Sequence, residues 1–191
     1  MDGASHKINS IWAPFQVIEC SSTGEKPAPL PKPRAVHTRE GMGDRMRSAA
    51  FAERQAVLAF SWAAENFVDA PKELRDDWRN LAKDEARHCE MILNRMMELG
   101  IPVDERPVNN RLLLSLTSCE TAEKFTHFIA NSEERGRQAG ILFANAVQEY
   151  DPVTAEIFRK ICDEEVDHIS LALKFFPRAP VSDSPFGRLA P

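Results

Sequence analysis

The chain has 191 residues, enough for one domain with a sizeable core, and a formal charge of −5 that argues against a dedicated nucleic-acid binder. Its four cysteines (Cys20, Cys89, Cys119 and Cys162) show no short paired spacing, which excludes a Cys-x-x-Cys metal knuckle and fits reduced thiols of a cytoplasmic protein. No apolar run approaches the length of a membrane span, and no apolar segment follows a basic one at the start, so neither a membrane nor a signal peptide is expected.

Residues 1–43 read as an irregular arm. Lys26 to Arg34 carries prolines at alternate positions, which remove backbone donors and push their neighbours into extended conformations. Trp12, Phe15 and Ile18 are the side chains expected to anchor this arm to the body. Asp44 is the expected N-cap of the first helix. From there Met46, Ala49, Ala50, Ala56, Val57, Phe60, Ala64 and Phe67 recur at three- and four-residue spacing, an amphipathic stripe interrupted only by Glu53. Pro71 is expected to open a second helix and Gly100 to end it. Its stripe is Trp78, Leu81, Ala82, Cys89, Ile92, Met96 and Leu99, with Glu85 and His88 at its middle.

Residues 101–117 form the one long connection, in which Leu112, Leu113 and Leu114 are placed to cover one end of the core. Thr117 and Glu120 have capping-box spacing for a third helix, with Ala122, Phe125, Thr126, Ile129, Glu133, Gly136, Gly140, Ala144 and Val147 on one face. Asp151-Pro152 is an N-cap followed by an N1 proline. The fourth helix then shows Phe158, Ile161, Cys162, Glu165, His168, Ile169, Ala172 and Phe176. His127 falls off the Glu133 face and reads as exposed. Residues 44–177 are thus the expected bundle, and 178–191 a Pro- and Ser-rich tail.

The polar members of these stripes repeat. Glu85 follows Glu53 by 32 residues, and Glu165 follows Glu133 by 32. A shift of 80 lays the first hairpin on the second: Glu53 falls on Glu133, Glu85 on Glu165, His88 on His168, and Trp78 on Phe158. A single histidine on an apolar face reads as a satisfied core residue. Six residues in matched register read as a ligand set. Four carboxylates converging inside a bundle repel one another and cannot all ionise without a cation. Two divalent ions neutralise them, and two histidines add nitrogen ligands without charge. Carboxylate plus imidazole suits iron or manganese better than zinc. In the residues adjacent to these motifs, Asp84 and Glu164 are placed to orient the histidine of the opposite helix, and Arg87 and Asp167 to pair across the bundle.

Asp84-Glu85-Ala86-Arg87-His88 resembles the Asp-Glu-x-Arg-His motif of bacterial di-iron oxygenases in the ferritin-like superfamily. From about Pro33 to Phe176 the chain is most similar to a bacterial family of ferritin-like proteins known as a domain of unknown function. The similarity is carried by Pro33-Arg-Ala-Val36, Gly41-Met-Gly43, Glu53-Arg-Gln-Ala56, Asp77-Trp78, Glu133-Glu-Arg-Gly136 and Glu164-Glu-Val-Asp-His168. A di-iron monooxygenase that hydroxylates a tRNA side chain is a more distant resemblance in size and ligand layout, but this chain lacks an evident basic stripe to grip tRNA. Electron transfer of the rubrerythrin type would need a Cys-x-x-Cys iron site. A tyrosyl radical is not expected, because Tyr150 lies seventeen residues beyond Glu133, about 25 Å along a helix.

These observations and resemblances predict an all-α, up-down-down-up, ferritin-like four-helix bundle built from two duplicated hairpins. They imply two metal ions, Fe/Fe first and Mn/Fe or Mn/Mn as alternatives. Glu53, Glu85 and His88 would bind one ion and Glu133, Glu165 and His168 the other, with Glu85 and Glu165 bridging. The expected activity is an O₂-activating oxidoreductase whose only catalytic residues are the metal ligands. Ferroxidase or metal storage without an organic substrate is one alternative, and a tRNA-modifying hydroxylase is the other. Expected partners are O₂, a small apolar substrate, an electron-donor protein and a second copy of the chain as a homodimer. An oxygenase needs an apolar cavity at the metals, with Phe60, Phe125, Ile129 and Ile161 as candidate walls.

Overall fold

The computed structural model describes residues 11–20 and 29–177. The tail from 178, and residues 1–10 and 21–28 of the arm, lie outside the described residues. Four long helices form the body: α1 (Arg39–Asn66), α2 (Lys72–Glu98), α4 (Ala122–Val147) and α5 (Pro152–Phe175). A short helix, α3 (Arg111–Thr117), lies in the long connection. Two-residue strands β1 (Val17–Ile18) and β2 (Val108–Asn109) pair in parallel and tie the arm to that connection.

Several helix ends follow local chemistry. Asp151 accepts from the Thr154 N–H at 3.1 Å, with Pro152 opening α5. At the end of α2, Gly100 takes φ +61°, a left-handed conformation that favours glycine. The Gly100 N–H reaches the Met97 carbonyl at 2.9 Å and the Ile101 N–H reaches that of Met96 at 2.8 Å, which satisfies two terminal carbonyls.

Two expected caps are displaced. Thr38, not Asp44, caps α1, its hydroxyl accepting from the Gly41 N–H at 3.0 Å. Asp44 lies inside α1 and is buried. It accepts from Arg34 at 2.7–3.0 Å, from Arg47 at 3.2 Å and from Arg106. Likewise Thr121, not Thr117, caps α4, because the Thr117 hydroxyl bonds back to the Leu113 carbonyl at the end of α3. The aromatic anchors of the arm are in place: Trp12 and Phe15 are buried against Phe51, with ring centroids 5.3 and 4.9 Å away. Ile18 is half-buried in β1.

Contacts at the helix ends set the topology. Lys174, late in α5, pairs with Asp77 and Glu73, early in α2. Arg95, late in α2, bonds Thr154 and Asp151 at the start of α5. α2 and α5 are therefore antiparallel. Phe60, late in α1, meets Phe125, early in α4, so α1 and α4 are antiparallel too. Each short-looped hairpin is antiparallel by construction, which gives up-down-down-up order with one long crossover. The crossover lies beside α1, where the Leu113 N–H donates to Gln55 at 3.0 Å.

The apolar interior divides into two clusters. One contains Met46, Phe51, Ile92, Met96, Phe143, Val147 and Phe158. The other contains Phe60, Phe67, Leu74, Trp78, Phe125 and Ile129. By helix register, Glu53, Glu85, His88, Glu133, Glu165 and His168 occupy the level where the two meet. Among the described residues, no helix is long and apolar enough to cross a membrane.

Candidate metal centre

Glu85 and His88 stand one turn apart on α2, as do Glu165 and His168 on α5, so each pair shares a helix face. All four are buried, Glu85 and His88 completely. The His168 Nδ1 lies 2.7 Å from Glu85 and 3.3 Å from Glu165. The His88 Nδ1 lies 3.2 Å from Glu165 and 3.6 Å from Glu85. Each ring nitrogen thus faces carboxylates from both hairpins. None of these close approaches has hydrogen-bond alignment. Both oxygens of Glu85, both of Glu165 and the two Nδ1 atoms are buried without a hydrogen-bond partner. Buried polar atoms are rarely left unpaired, so six converging on one point require an explanation.

Glu53 on α1 and Glu133 on α4 complete the layer. Potential ligand atoms of Glu53, Glu85, His88 and Glu165 lie within 4.8 Å of one another. Glu53 contacts Glu85, and Glu133 contacts Glu165. Burial pushes the Glu53 and Glu133 carboxyls well above the ordinary carboxylate range, and the charge of Glu85 adds to the shift. Burial also acts to raise Glu85, but His168 and His88 outweigh it and hold that carboxyl at about 2. Burial acts to lower both histidines; contacts with Glu165 and Glu85 outweigh it, pushing His88 to about 9 and His168 to about 10. The donor set could hold a metal ion: carboxylate oxygens of Glu85 and Glu165 and imidazole nitrogens of His88 and His168, buried and without hydrogen-bond partners.

The supporting residues are asymmetric. The His88 Nε2 lies 2.8 Å from Glu164, and donation there leaves the Nδ1 lone pair facing Glu85 and Glu165. Arg87 holds the same Glu164 oxygen at 2.7 Å and Asp84 at 3.1 Å. The equivalent approach of the His168 Nε2 to Asp84 is 4.0 Å, beyond hydrogen-bond range. Asp167, the expected partner of Arg87, is exposed instead, because Glu164 occupies the guanidinium.

A cavity of about 280 Å³ opens beside the cluster, between α1, α4 and α5. Glu53, Glu133 and Glu165 form its inner wall, and Phe143, Phe158 and Ile161 supply apolar surface. Of the walls expected from sequence, Ile161 is present. Phe60, Phe125 and Ile129 are not, because they pack together in the second apolar cluster. Gly140 lets α4 approach α5 here: a Cβ at this position would lie 2.6 Å from the Cys162 sulfur. Gly136 has open space around it and lines the cavity. Cys162 and Cys89 are buried core residues, and the Cys162 Sγ lies 3.3 Å from the Arg137 carbonyl. His127 is half-buried rather than exposed, near the Phe176 ring. Arg45, on the cavity wall, escaped the sequence reading, since a charged residue in the first turns of a helix reads as solvated surface.

Comparisons with curated proteins and with solved structures each returned no match. A family comparison did match, over residues 16–183, which takes in β1, every long helix and Glu53, Glu85, His88, Glu133, Glu165 and His168. The chain belongs to the family described as Protein of unknown function (DUF455).

Proposed function

We propose that the cluster is a dinuclear metal centre of ferritin-like type, and that the protein is a di-iron oxidoreductase that activates O₂ toward a small apolar substrate. The observation that carries this reading is the convergence of six buried, unpartnered ligand atoms at one level of the bundle. Glu53, Glu85 and His88 would hold one ion and Glu133, Glu165 and His168 the other. Glu85 and Glu165 are the bridging candidates, because each histidine Nδ1 faces both of them. When bound, a reduced pair of iron ions supplies the electrons that O₂ reduction consumes.

The chain's own residues set the conditions for that chemistry. Glu164 orients His88, and Arg87 fixes Glu164. The apolar cluster of Phe60, Trp78 and Phe125 closes one side of the layer to water, and the cavity opens on the other. Glu53 and Glu133 sit on the cavity wall, where each would hold its ion on the side open to a substrate. The apolar side of the same cavity supports substrate oxidation over iron storage, which would call for a polar ion path.

The test is to load the reduced protein with iron, add O₂, and follow oxygen uptake and near-ultraviolet absorption. Wild-type protein should consume O₂ and develop the absorption of oxidised, bridged iron. Glu85→Ala and Glu165→Ala should lose both. Retention of the full metal content by either variant would overturn the reading.

A further inference from the structure

The cavity has a polar end that the metal centre does not use. Arg45 lines it eight residues before Glu53, which places the two about 12 Å apart along α1. Its Nη1 is buried and has no hydrogen-bond partner, and among the described residues no carboxylate pairs with it. The other arginine on the wall is already committed: Arg137 makes two bonds to Glu134, at 2.8 and 3.1 Å. Between Arg45 and the inner carboxylates, Ala49 and Ala52 line α1, and Phe143, Phe158 and Ile161 face them. One unpaired cation therefore stands at one end of an apolar slot, with three acidic residues at the other.

We propose that this cavity binds an unbranched aliphatic carboxylate, its charged end on Arg45 and its chain running along α1 toward Glu53 and Glu133. A planar guanidinium matches a carboxylate in shape and in charge. A phosphate dianion would carry one charge more than Arg45 can neutralise in apolar surroundings. The reverse orientation would set the carboxylate among Glu53, Glu133 and Glu165, which repel it. That the far end of the chain meets oxidising chemistry rests on the metal-centre reading; binding at Arg45 does not.

The experiment is calorimetric titration of the full chain as purified, its metal content counted first, with decanoate, decanol and decyl phosphate. Wild-type protein should bind decanoate at least about tenfold more tightly than decanol. Arg45→Ala and Arg45→Gln should remove that preference without weakening decanol, and Ala52→Phe, which fills the slot, should weaken both. Equal binding of decanoate and decanol by the wild type, a preference that survives in both Arg45 variants, or decyl phosphate binding tighter than decanoate would overturn the proposal. Folded protein without metal that still shows the Arg45-dependent preference would sink the metal-centre reading alone. Metal-loaded protein without the preference would sink this one alone.

Discussion

The space beside the acidic layer is treated in opposite ways by the two halves of the duplicated bundle. On one side, Phe125 packs edge-on to Phe60 and Trp78, with centroids 6.2 and 5.4 Å away, and Ile129 joins the same cluster. On the other side lies the cavity. The shift of 80 residues relates the two sides position by position. Phe125 corresponds to Arg45, Ile129 to Ala49, and Phe60 to Gly140. Where the second hairpin's first helix presents a large apolar residue, the first hairpin presents arginine or alanine. Where the first presents phenylalanine, the second presents glycine. The clustered acids and histidines keep the 80-residue register while the residues around them differ, which closes one side and leaves a cavity on the other.

The sharpest way to break this comparison is to truncate equivalent positions. Phe125→Ala should cost about 3–5 kcal/mol, because a fully buried aromatic leaves a cavity that its neighbours cannot close. Its counterpart Arg45→Ala should leave stability within about 0.5 kcal/mol, since among the described residues its Nη1 has no hydrogen-bond partner. Equal losses in denaturant titrations would show that the two sides are packed alike.

A second pair contrasts the helix starts. Asp44 corresponds in register to Lys124, which is exposed and pairs with Glu120. Removing the Asp44 carboxylate takes a partner from Arg34, Arg47 and Arg106, although Arg47 keeps Glu105 at 3.1 Å, so Asp44→Ala should cost about 1.5–3 kcal/mol, while Lys124→Ala should have no measurable effect. The pH dependence follows from sign. Burial acts to raise the Asp44 carboxyl, but Arg34 and Arg106 outweigh it and hold the group well below the usual range. Its contribution is fully present above the unfolded value of about 4 and is lost as the pH falls below that toward the depressed folded value. Acid titration of Asp44→Asn should show a flatter loss below about pH 4 than wild type. Identical acid profiles would remove Asp44 from the account.

The smallest effect belongs to the supporting shell. Glu164→Gln should weaken metal binding about 10–100-fold, because it disturbs a 2.8 Å contact that sets the His88 tautomer. Asp84→Asn, whose contact with His168 is 4.0 Å, should weaken it less. Competition with a chelator orders the two, and the reverse order would mean that the shell adjusts once metal enters.

Much of this arrangement was legible in the sequence because it rests on local periodicity. The mid-stripe acids and histidines, the glycine after α2 and the Asp-Pro opening of α5 each declare themselves within a turn or two. What escaped depends on distant partners. Asp44 has the look of a cap, but Thr38 takes that place and Arg34 and Arg106, 10 and 62 residues away, pair with Asp44 inside the helix. Helix α3 has seven residues, too few to show a period, and its C-terminal Thr117 imitates a cap for the next helix. The cavity walls were misassigned because Phe60, Phe125 and Ile129 lie on the same faces as the ligands. Periodicity marks a face as interior without saying whether it is filled. Aligning the two hairpins on their ligands would have placed Arg45 opposite Phe125 and marked the odd position.

The most direct test of the central claim is elemental analysis of protein expressed with both iron and manganese available. The account predicts about two metal ions per chain, falling sharply in Glu85→Ala and Glu165→Ala. Folded wild-type protein that takes up no metal would contradict it, and would make the six residues a proton-bridged polar layer rather than a cofactor site.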